Sequence, residues 1–318
     1  MYDIVSVGET LIDFTPLKKE GGCLAFEQNP GGAPANLAVA AASMGAKSAF
    51  VGKVGADQFG LFLEKTLQEH GVETRGLVKG TNCKTTLAFV HLHENGQREF
   101  DFYRGADLLL SEEEVTWDLI ENARIVHVSS LAFCGEITAK TTWKIIEKAK
   151  TAGAWLSYDA NWRPMLWPDQ EKGKKLLAEG NRFADIVKAS EEELAFITGI
   201  EHESQAAEAL IKKGVKLVLV TKGEKGSAAY TSNAHKTVTA FTGITPVDTT
   251  GAGDIFFGTF LTNMLQKGKE SQEFNDKELA LMLREANAAA GLSVVKRGGI
   301  SSVPTLEEVK KFLADNID

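Results

Sequence analysis

The segment DTTGAGD, residues 248–254, places two glycines between two aspartates, directly before an apolar run that predicts a helix. A glycine inside a helix costs about 1 kcal/mol relative to alanine, so Gly251 and Gly253 require another explanation. Glycines around Ala252 would let an anion approach the free N–H groups and the positive dipole of the helix start. Asp254 could then accept a proton from a nucleophile that attacks this anion. Alone, the segment also fits an ordinary glycine-softened helix start.

A second glycine-rich segment, GGAPANLA at residues 31–38, precedes another predicted helix. Gly31 and Gly32 would let the backbone approach a small polar ligand, with Asn36 forming hydrogen bonds to it. The alternative is a tight turn with a capped helix, and the segment alone does not decide between them. Asp13 follows the first strand and could accept hydrogen bonds from two neighbouring hydroxyls, as a sugar would offer. A simple turn residue would fit equally.

The elements that must position these residues alternate along the chain. Short apolar segments predicted as strands lie at residues 4–8, 48–55, 124–130, 154–161, 184–190 and 216–223, with helical segments between them. Such alternation predicts right-handed crossovers and a mostly parallel sheet that is covered on both faces. Ligand sites in these sheets lie at the carboxyl ends of the strands. The C-terminal third is predicted to be helical at 251–266, 276–296 and 304–315.

One region interrupts the alternation. Residues 84–94 and 97–103 alternate apolar and polar side chains around an Asn-Gly pair, which is the strongest short-range signal for a hairpin. Two further short segments, roughly 10–16 and 23–28, could pair with this hairpin. The result would be a small β-sheet lid over a strand-end cleft, made of segments roughly 10–30 and 84–104, or a plain surface hairpin. Its exposed edges could also pair with a second copy to form a homodimer.

The composition narrows the class of protein. The chain has 318 residues, of which 43% are hydrophobic. Its net charge of −8 argues against nucleic acid or an anionic membrane as its main partner. No stretch reaches the roughly 18 consecutive apolar residues of a membrane span. The first residues are typical of a core strand and not of a signal peptide. Three dispersed cysteines, Cys23, Cys83 and Cys134, favour a reducing cytoplasm over a disulfide framework.

Taken with DANWRP (159–164) and VTKGEKG (220–226), the two glycine-rich segments make the whole chain resemble the ribokinase-like family of carbohydrate kinases, also called the phosphofructokinase B type. The resemblance implies an α/β fold of three layers, α/β/α, with a mostly parallel central sheet and a small β-sheet lid. It also implies a single domain over residues 1–318 and ATP-dependent phosphoryl transfer to a sugar hydroxyl.

The resemblance assigns roles to individual residues. Asp254 matches the catalytic base, and Arg163 matches an arginine that reaches toward the substrate or the transferred phosphate. The anion hole corresponds to Gly251, Ala252 and Gly253. The sugar-binding positions correspond to Asp13, Gly31, Gly32, Asn36, Arg104 and Asn161.

Further residues match the nucleotide and ion sites of the family. The nucleotide positions correspond to Lys222, Gly223 and Gly226 near the phosphates and ribose, and to Asn287 beside the adenine. Glu193 matches the magnesium region, where Ser190 replaces the usual asparagine and could still hold a water on Mg²⁺. A monovalent-cation site, often filled by K⁺, corresponds to Asp248, Thr250, Gly298 and Ser302.

Within the family, the segments VGETLIDF, FYRGAD and DANWRPMLWP look most like fructokinases, which convert D-fructose and ATP to fructose 6-phosphate and ADP. The alternative is 2-keto-3-deoxygluconate kinase. Its substrate carries a carboxylate, which calls for positive charge beyond Arg104 and Arg163. A catalytically inactive sugar-binding regulatory protein is a third interpretation, against which the intact Asp254 and Gly-Ala-Gly segment argue.

Overall fold

The structure of the protein is a computed structural model. It describes residues 1–18, 24–92, 98–167, 169–268 and 273–316. The strands in chain order are β1 (Tyr2–Val7), β2 (Leu11–Lys18), β3 (Leu24–Gly31), β4 (Ser48–Gly55), β5 (Glu73–Gly80), β6 (Leu87–Leu92), β7 (Arg98–Tyr103), β8 (Ala123–Ser129), β9 (Trp155–Asp159), β10 (Ile186–Ser190), β11 (Leu217–Thr221), β12 (Ser227–Tyr230) and β13 (His235–Val238). The helices are α1 (Ala33–Ser43), α2 (Gln58–Glu69), α3 (Trp117–Glu121), α4 (Glu136–Thr151), α5 (Gln170–Phe183), α6 (Glu191–Thr198), α7 (Glu203–Lys212), α8 (Ala252–Lys267), α9 (Asp276–Ser293) and α10 (Leu306–Asp315).

The main sheet contains nine strands within the described ranges, in the order β13-β12-β11-β10-β9-β8-β1-β4-β5. Strands β1, β4, β5, β8, β9, β10 and β11 pair in parallel, and β12 and β13 add antiparallel pairs at one edge. The central strands are buried on both faces, as strands between two helical layers must be. The predicted α/β class with a mostly parallel sheet is confirmed.

Alternate residues of each central strand enter different hydrophobic layers. Val5 packs in a cluster with Leu119, Ile145 and Leu210, from the helices on one face. Its neighbour Ile4 packs in a second cluster, with helices α1, α8 and α9 on the other face. The period of two along a strand therefore produces the three-layer α/β/α arrangement.

A separate small sheet has the order β3-β2-β6-β7. Its aromatic face packs on the main body, because Phe14 stacks on Phe89 at 4.9 Å between ring centres and meets Phe59 of α2 edge-on at 5.8 Å. The predicted pairing of the hairpin runs is confirmed by the antiparallel ladder between β6 and β7. The Asn-Gly pair at its turn lies outside the described residues. The lid role and the single-domain organisation remain predictions.

Among the residues that the structure describes, no helix combines the length and apolar character that a bilayer crossing requires. Cys83 and Cys134 are free thiols. Cys23 lies outside the described residues.

Candidate active site

Two cavities meet at the carboxyl ends of the central strands, on either side of the start of α8. The larger, of about 460 Å³, lies beside the small sheet and is called the acceptor cavity here. The smaller, of about 310 Å³, lies against α9 and is called the nucleotide cavity, after the residues that the family resemblance assigns to the nucleotide. Thr249 and Gly253 line both cavities. The glycine-rich segment therefore forms the wall that two reactants in these cavities would share.

The start of α8 is built by Gly251, which precedes the helix in the left-handed region at φ +78°. A side chain there would also meet Gly299 Cα at 3.1 Å and Asn36 Nδ2 at 3.0 Å, so glycine is required. The Ala252 N–H donates to the carbonyl of Thr249 at 3.3 Å. The amides that follow open the helix, where backbone N–H groups have no intrahelical partner. Because Gly253 lines both cavities, an anion at the shared wall would lie beside this helix start, whose amides suit it.

Asp254 lies in the first turn of α8 and lines the acceptor cavity. Asn36 Nδ2 donates a hydrogen bond to its Oδ2 at 2.9 Å. Burial and the nearby charge of Asp159 raise the pKa of Asp254 to about 6, while Lys188, the Asn36 hydrogen bond and Arg163 limit the rise. The carboxylate is therefore mostly ionised at neutral pH and basic enough to accept a proton. Asn36 is brought to the predicted site as well.

Two more carboxyl groups line the acceptor cavity. Burial, with the charges of Asp248 and Asp254, raises the pKa of Asp13 to about 7. Burial likewise raises the pKa of Glu9 to about 7. Glu9 Oε1 accepts a hydrogen bond from the Ala33 N–H at 3.2 Å, which ties the end of β1 to the start of α1. Glu9 was not among the residues predicted from the sequence, although its place after the first strand was a usable signal.

The paired glycines before α1 allow the Asp13 carboxyl group and the Glu9 backbone to come close. A Cβ on Gly31 would lie 2.4 Å from Asp13 Oδ2, and one on Gly32 would lie 2.5 Å from the carbonyl oxygen of Glu9. Gly32 also has φ +108°, which side chains rarely adopt. Gly32 lines the acceptor cavity, and Gly31 contributes by making room for Asp13.

The predicted arginines differ in their surroundings. Arg163 is exposed and lines the acceptor cavity. Arg104 forms an ion pair with Asp107, and its Nε lies 2.7 Å from Asp107 Oδ2. Arg104 is not among the described residues that line the acceptor cavity. Its charge still reaches the site, because it lowers the pKa of Glu9 against the larger effect of burial.

Asn161 also lines the acceptor cavity, in a strained backbone conformation. Its φ of +34° is the only positive value for a non-glycine residue in the part of the chain that is described. The Asn161 N–H donates to Asp159 Oδ1 at 3.1 Å, and its carbonyl accepts from Ser130 Oγ at 3.2 Å. Such strain persists where the surroundings over-determine it, commonly at functional sites.

The nucleotide cavity contains three of the four predicted nucleotide residues, Gly223, Gly226 and Asn287. The Asn287 amide is already engaged, since Oδ1 accepts from Ser227 Oγ at 2.8 Å and Nδ2 donates to the Val238 carbonyl at 3.3 Å. Asn287 therefore holds the cavity wall in place. Lys222 instead pairs with Glu203 at 2.8 Å, and within the described residues it lines neither cavity.

Ser190 and Glu193 form a reciprocal cap at the start of α6. Ser190 Oγ accepts from the Glu193 N–H at 3.1 Å, and Glu193 Oε2 accepts from the Ser190 N–H at 2.8 Å. Glu193 Oε1 accepts from the Trp162 N–H at 2.7 Å. Both residues line the acceptor cavity. Over the described residues, no group of three or more His, Cys, Asp or Glu side chains is arranged to hold a metal ion.

Three of the residues predicted for a monovalent cation, Asp248, Thr250 and Gly298, are joined by hydrogen bonds. Asp248 joins two loops, because its Oδ1 accepts from the Thr250 N–H at 2.9 Å and its Oδ2 from the Gly298 N–H at 3.1 Å. Ser302 Oγ donates to the Gly299 carbonyl at 2.8 Å. The arrangement fixes the backbone that leads into α8.

Comparisons with known proteins agree with this geometry. The model for the pfkB family carbohydrate kinases matches residues 1–306. Probable fructokinase-4 of Arabidopsis thaliana is 41% identical over 98% of this chain and 97% of that protein. The fructokinase of Xylella fastidiosa with bound ATP is 35% identical, with a TM-score of 0.86 and 98% of both chains covered. A double mutant of the Vibrio cholerae fructokinase, bound to fructose, ADP and a potassium ion, is 29% identical, with a TM-score of 0.87 and 98% of both chains covered.

The family match spans nearly the whole chain, and the first of these relatives is similar over almost its full length. Both solved structures share the fold of this chain over nearly all of its residues. This chain therefore belongs to the pfkB family of carbohydrate kinases, and is a phosphotransferase that acts on a sugar.

Proposed function

We propose that the protein is an ATP-dependent fructokinase that converts D-fructose and ATP to D-fructose 6-phosphate and ADP. One observation carries the proposal. Gly253 lines both cavities, and the adjoining carboxylate of Asp254 faces the acceptor cavity. A base and an anion-binding helix start therefore stand where a phosphoryl group would pass from one cavity to the other. The fructokinases similar over the full chain support fructose as the acceptor.

In the proposed reaction, the sugar hydroxyl gives its proton to Asp254 as its oxygen attacks the terminal phosphorus of ATP. A new P–O bond forms to the sugar, and the bond to the leaving oxygen of ADP breaks. The amides of Gly251 and Gly253, that of Ala252 in place of its 3.3 Å hydrogen bond to the Thr249 carbonyl, and the guanidinium of Arg163 would stabilise the charge on the moving phosphoryl group. Asp13, Gly32, Asn36 and Asn161 would orient the sugar from the acceptor cavity.

Two ions are part of the proposal. Mg²⁺ would arrive with ATP and neutralise phosphate charge, while Glu193 and Ser190 would hold its water shell. Both residues keep unused lone pairs beside the acceptor cavity despite their capping role. K⁺ would sit near Asp248, Thr250, Gly298 and Ser302 and order the loop before α8. The donor set there, a carboxylate with hydroxyl and carbonyl oxygens, suits a hard cation.

The oligomeric state and the cellular location of the protein are also proposals. The small sheet presents Tyr103, which is 63% exposed, on its outer strand β7. Pairing of such an edge with a second copy would give a homodimer through the lid. The free thiols of Cys83 and Cys134 fit a reducing cytoplasm.

The acceptor cavity disfavours the sugar-acid alternative. Its lining includes the carboxyl groups of Glu9, Asp13 and Asp254, and the Arg104 guanidinium is already paired with Asp107. On the side of the cavity that these residues form, the carboxylate of 2-keto-3-deoxygluconate would therefore meet partly ionised carboxyl groups, while Arg163, which also lines the cavity, is assigned to the transferred phosphoryl group. A neutral ketohexose carries no such penalty.

A panel of acceptors tests the proposal. Fructose, other hexoses, ribose and 2-keto-3-deoxygluconate are incubated with Mg²⁺–ATP and K⁺, and ADP release is measured for each. Fructose should give the highest kcat/KM, and the Asp254→Asn variant should abolish most of that signal. A preference for the keto acid would refute the fructose assignment. Fructose binding without ADP release would instead favour a sugar-binding regulatory protein.

A further inference from the structure

Lys188, which lines the acceptor cavity, forms a buried ion pair with Asp159, and neither side chain has a role in the reaction described so far. They face each other across the parallel ladder between β10 and β9. Lys188 Nζ lies 3.2 and 3.0 Å from the two carboxylate oxygens, and the side chains are 8% and 2% exposed. Such buried pairs often give little net stability, because desolvation offsets their attraction. The position of the pair therefore suggests a use in chemistry.

The Lys188 ammonium lies beside the start of α8. A Cβ built on Gly253 would lie 3.0 Å from Lys188 Nζ and 3.6 Å from its Cε. Lys188 and Gly253 both line the acceptor cavity. A full positive charge thus lies next to the helix end that carries the positive half of its dipole. The Lys188 ammonium and the positive end of the α8 dipole repel each other, and an anion bound between them would be attracted to both.

The ammonium is charged and has donors to spare. Burial alone would lower the pKa of Lys188, but the carboxylates of Asp159, Glu193 and Asp254 outweigh burial and raise it. Within the described residues, its only hydrogen-bond acceptors are the Asp159 oxygens. An ammonium carries three N–H donors, so at least one remains for a ligand in the cavity.

We propose that Lys188 binds the phosphoryl group while it is transferred, and that Asp159 is the positioning residue that aims the ammonium. This inference rests on the proposed kinase activity. One N–H holds Asp159, and another donates to a non-bridging oxygen of the moving phosphoryl group. No bond forms to Lys188, and the sugar proton still goes to Asp254. The fixed charge stabilises the transition state more than the ground state, because the phosphoryl group moves along the wall that Lys188 and Gly253 share.

The choice of variant follows from the burial of the pair. Lys188→Met alone would leave the Asp159 carboxylate buried without its partner, which typically costs several kcal/mol and could unfold the protein. The double variant K188M/D159N removes both charges and keeps similar side-chain volumes. The amide introduced by D159N would still offer an oxygen to the Asn161 N–H, which now donates to Asp159 Oδ1. The double variant is therefore the decisive protein, with the single Lys188→Arg as a variant that keeps the charge.

Three measurements are made on purified full-length protein: thermal unfolding, steady-state kinetics with fructose, and calorimetric binding of Mg²⁺–ADP and of the non-hydrolysable Mg²⁺–AMPPNP. The double variant should stay folded and keep its KM for fructose within about threefold. Its kcat should fall about 10²–10³-fold, as for loss of one preorganised donor to the transition state. Affinity for AMPPNP should fall more than affinity for ADP, since only AMPPNP carries the third phosphoryl group. Lys188→Arg should recover part of kcat.

A purely structural pair would give a different pattern. If the double variant keeps kcat within about threefold of wild type, or loses ADP and AMPPNP affinity equally, the role of Lys188 is refuted. Failure of the fructose assignment is separable, because the wild type is first screened for its acceptor and the kinetics then use that sugar. The nucleotide-binding measurement needs no sugar at all.

Discussion

The Gly253→Ala substitution should affect the free energy of unfolding and the catalytic rate very differently. Gly253 is the second residue of the helix and has an ordinary negative φ, so alanine fits its backbone. Alanine gains up to about 1 kcal/mol of helix propensity there. The added Cβ would meet the Lys188 ammonium at 3.0 Å, a contact that a shift of a few tenths of an ångström within the ion pair with Asp159 would relieve, and no backbone atom lies as near. We expect the free energy of unfolding to change by no more than about 1 kcal/mol, or a few degrees in Tm.

Activity should respond far more strongly. The new methyl group would project into the wall that both cavities share, where the phosphoryl group must approach the helix amides. A displacement of about 1 Å from the productive geometry can cost about 10²-fold in rate. We therefore expect kcat to fall at least about 10²-fold, measured as initial rates of ADP release at saturating fructose and ATP. Binding of fructose alone should be nearly unchanged.

Gly258→Ala is the matched control in the same helix. Its Cβ would lie 2.6 Å from the carbonyl oxygen of Leu37 in α1, a backbone atom that cannot move without separating the two helices. Such overpacking costs about 1–3 kcal/mol, so Tm should drop clearly in this variant. A Gly253→Ala enzyme with near wild-type kcat would refute the assignment of these amides to the phosphoryl group. A Tm loss as large as that of Gly258→Ala would refute the stability argument.

Four further outcomes are expected. Asp254→Asn should keep the fold and lower kcat about 10²–10⁴-fold in initial-rate assays, and near wild-type turnover would remove it as the base. The value of kcat/KM for fructose should fall below about pH 7 and more steeply below about pH 6. The reason is that the pKa values of Asp13 and Asp254 are raised to about 7 and about 6, and protonation of these carboxylates removes hydrogen-bond and proton acceptors as the pH falls. A flat profile down to about pH 5 would contradict this expectation. Asp13→Ala should weaken fructose binding much more than ATP binding by calorimetry, and equal losses would argue against a sugar contact. Replacing Na⁺ by K⁺ should raise the rate, and an unchanged rate would discard the cation site.

Most of the fold was predictable from the sequence, because buried parallel strands are short apolar runs between amphipathic helices. The strand β5 was missed since its sequence, ETRGLVKG, is largely polar. The edge strand β13 was missed for a related reason: its HKTV sequence has mainly exposed side chains. Edge strands need only one neighbour and one covered face, so the apolar pattern on which strand prediction depends is weak in them.

The residues of the candidate site also fall into two groups, those that leave a pattern in the sequence and those that do not. Residues that are proposed to act through their backbone at a helix start, such as Gly251 and Gly32, leave a local pattern because glycine there has a cost. Lys188 leaves none: a lysine inside a strand is typical of a solvent-facing position, and only the ladder to Asp159 reveals its burial. Lys222 illustrates the reverse, since its motif predicted a phosphate contact but the fold places Glu203 within 2.8 Å of its ammonium.

The close packing of α1 on α8 has a consequence for protein engineering. Asn36 and Asp254 are joined by a 2.9 Å hydrogen bond, and Gly258 lets the backbone of α8 rest on that of α1. The groups proposed to recognise the sugar and to accept its proton thus belong to one tightly packed pair of helices, although 218 positions separate them in the chain. A chimaera that imports a new sugar specificity by exchanging only the N-terminal segment would misalign the acid it depends on. Both helix starts must be transplanted together.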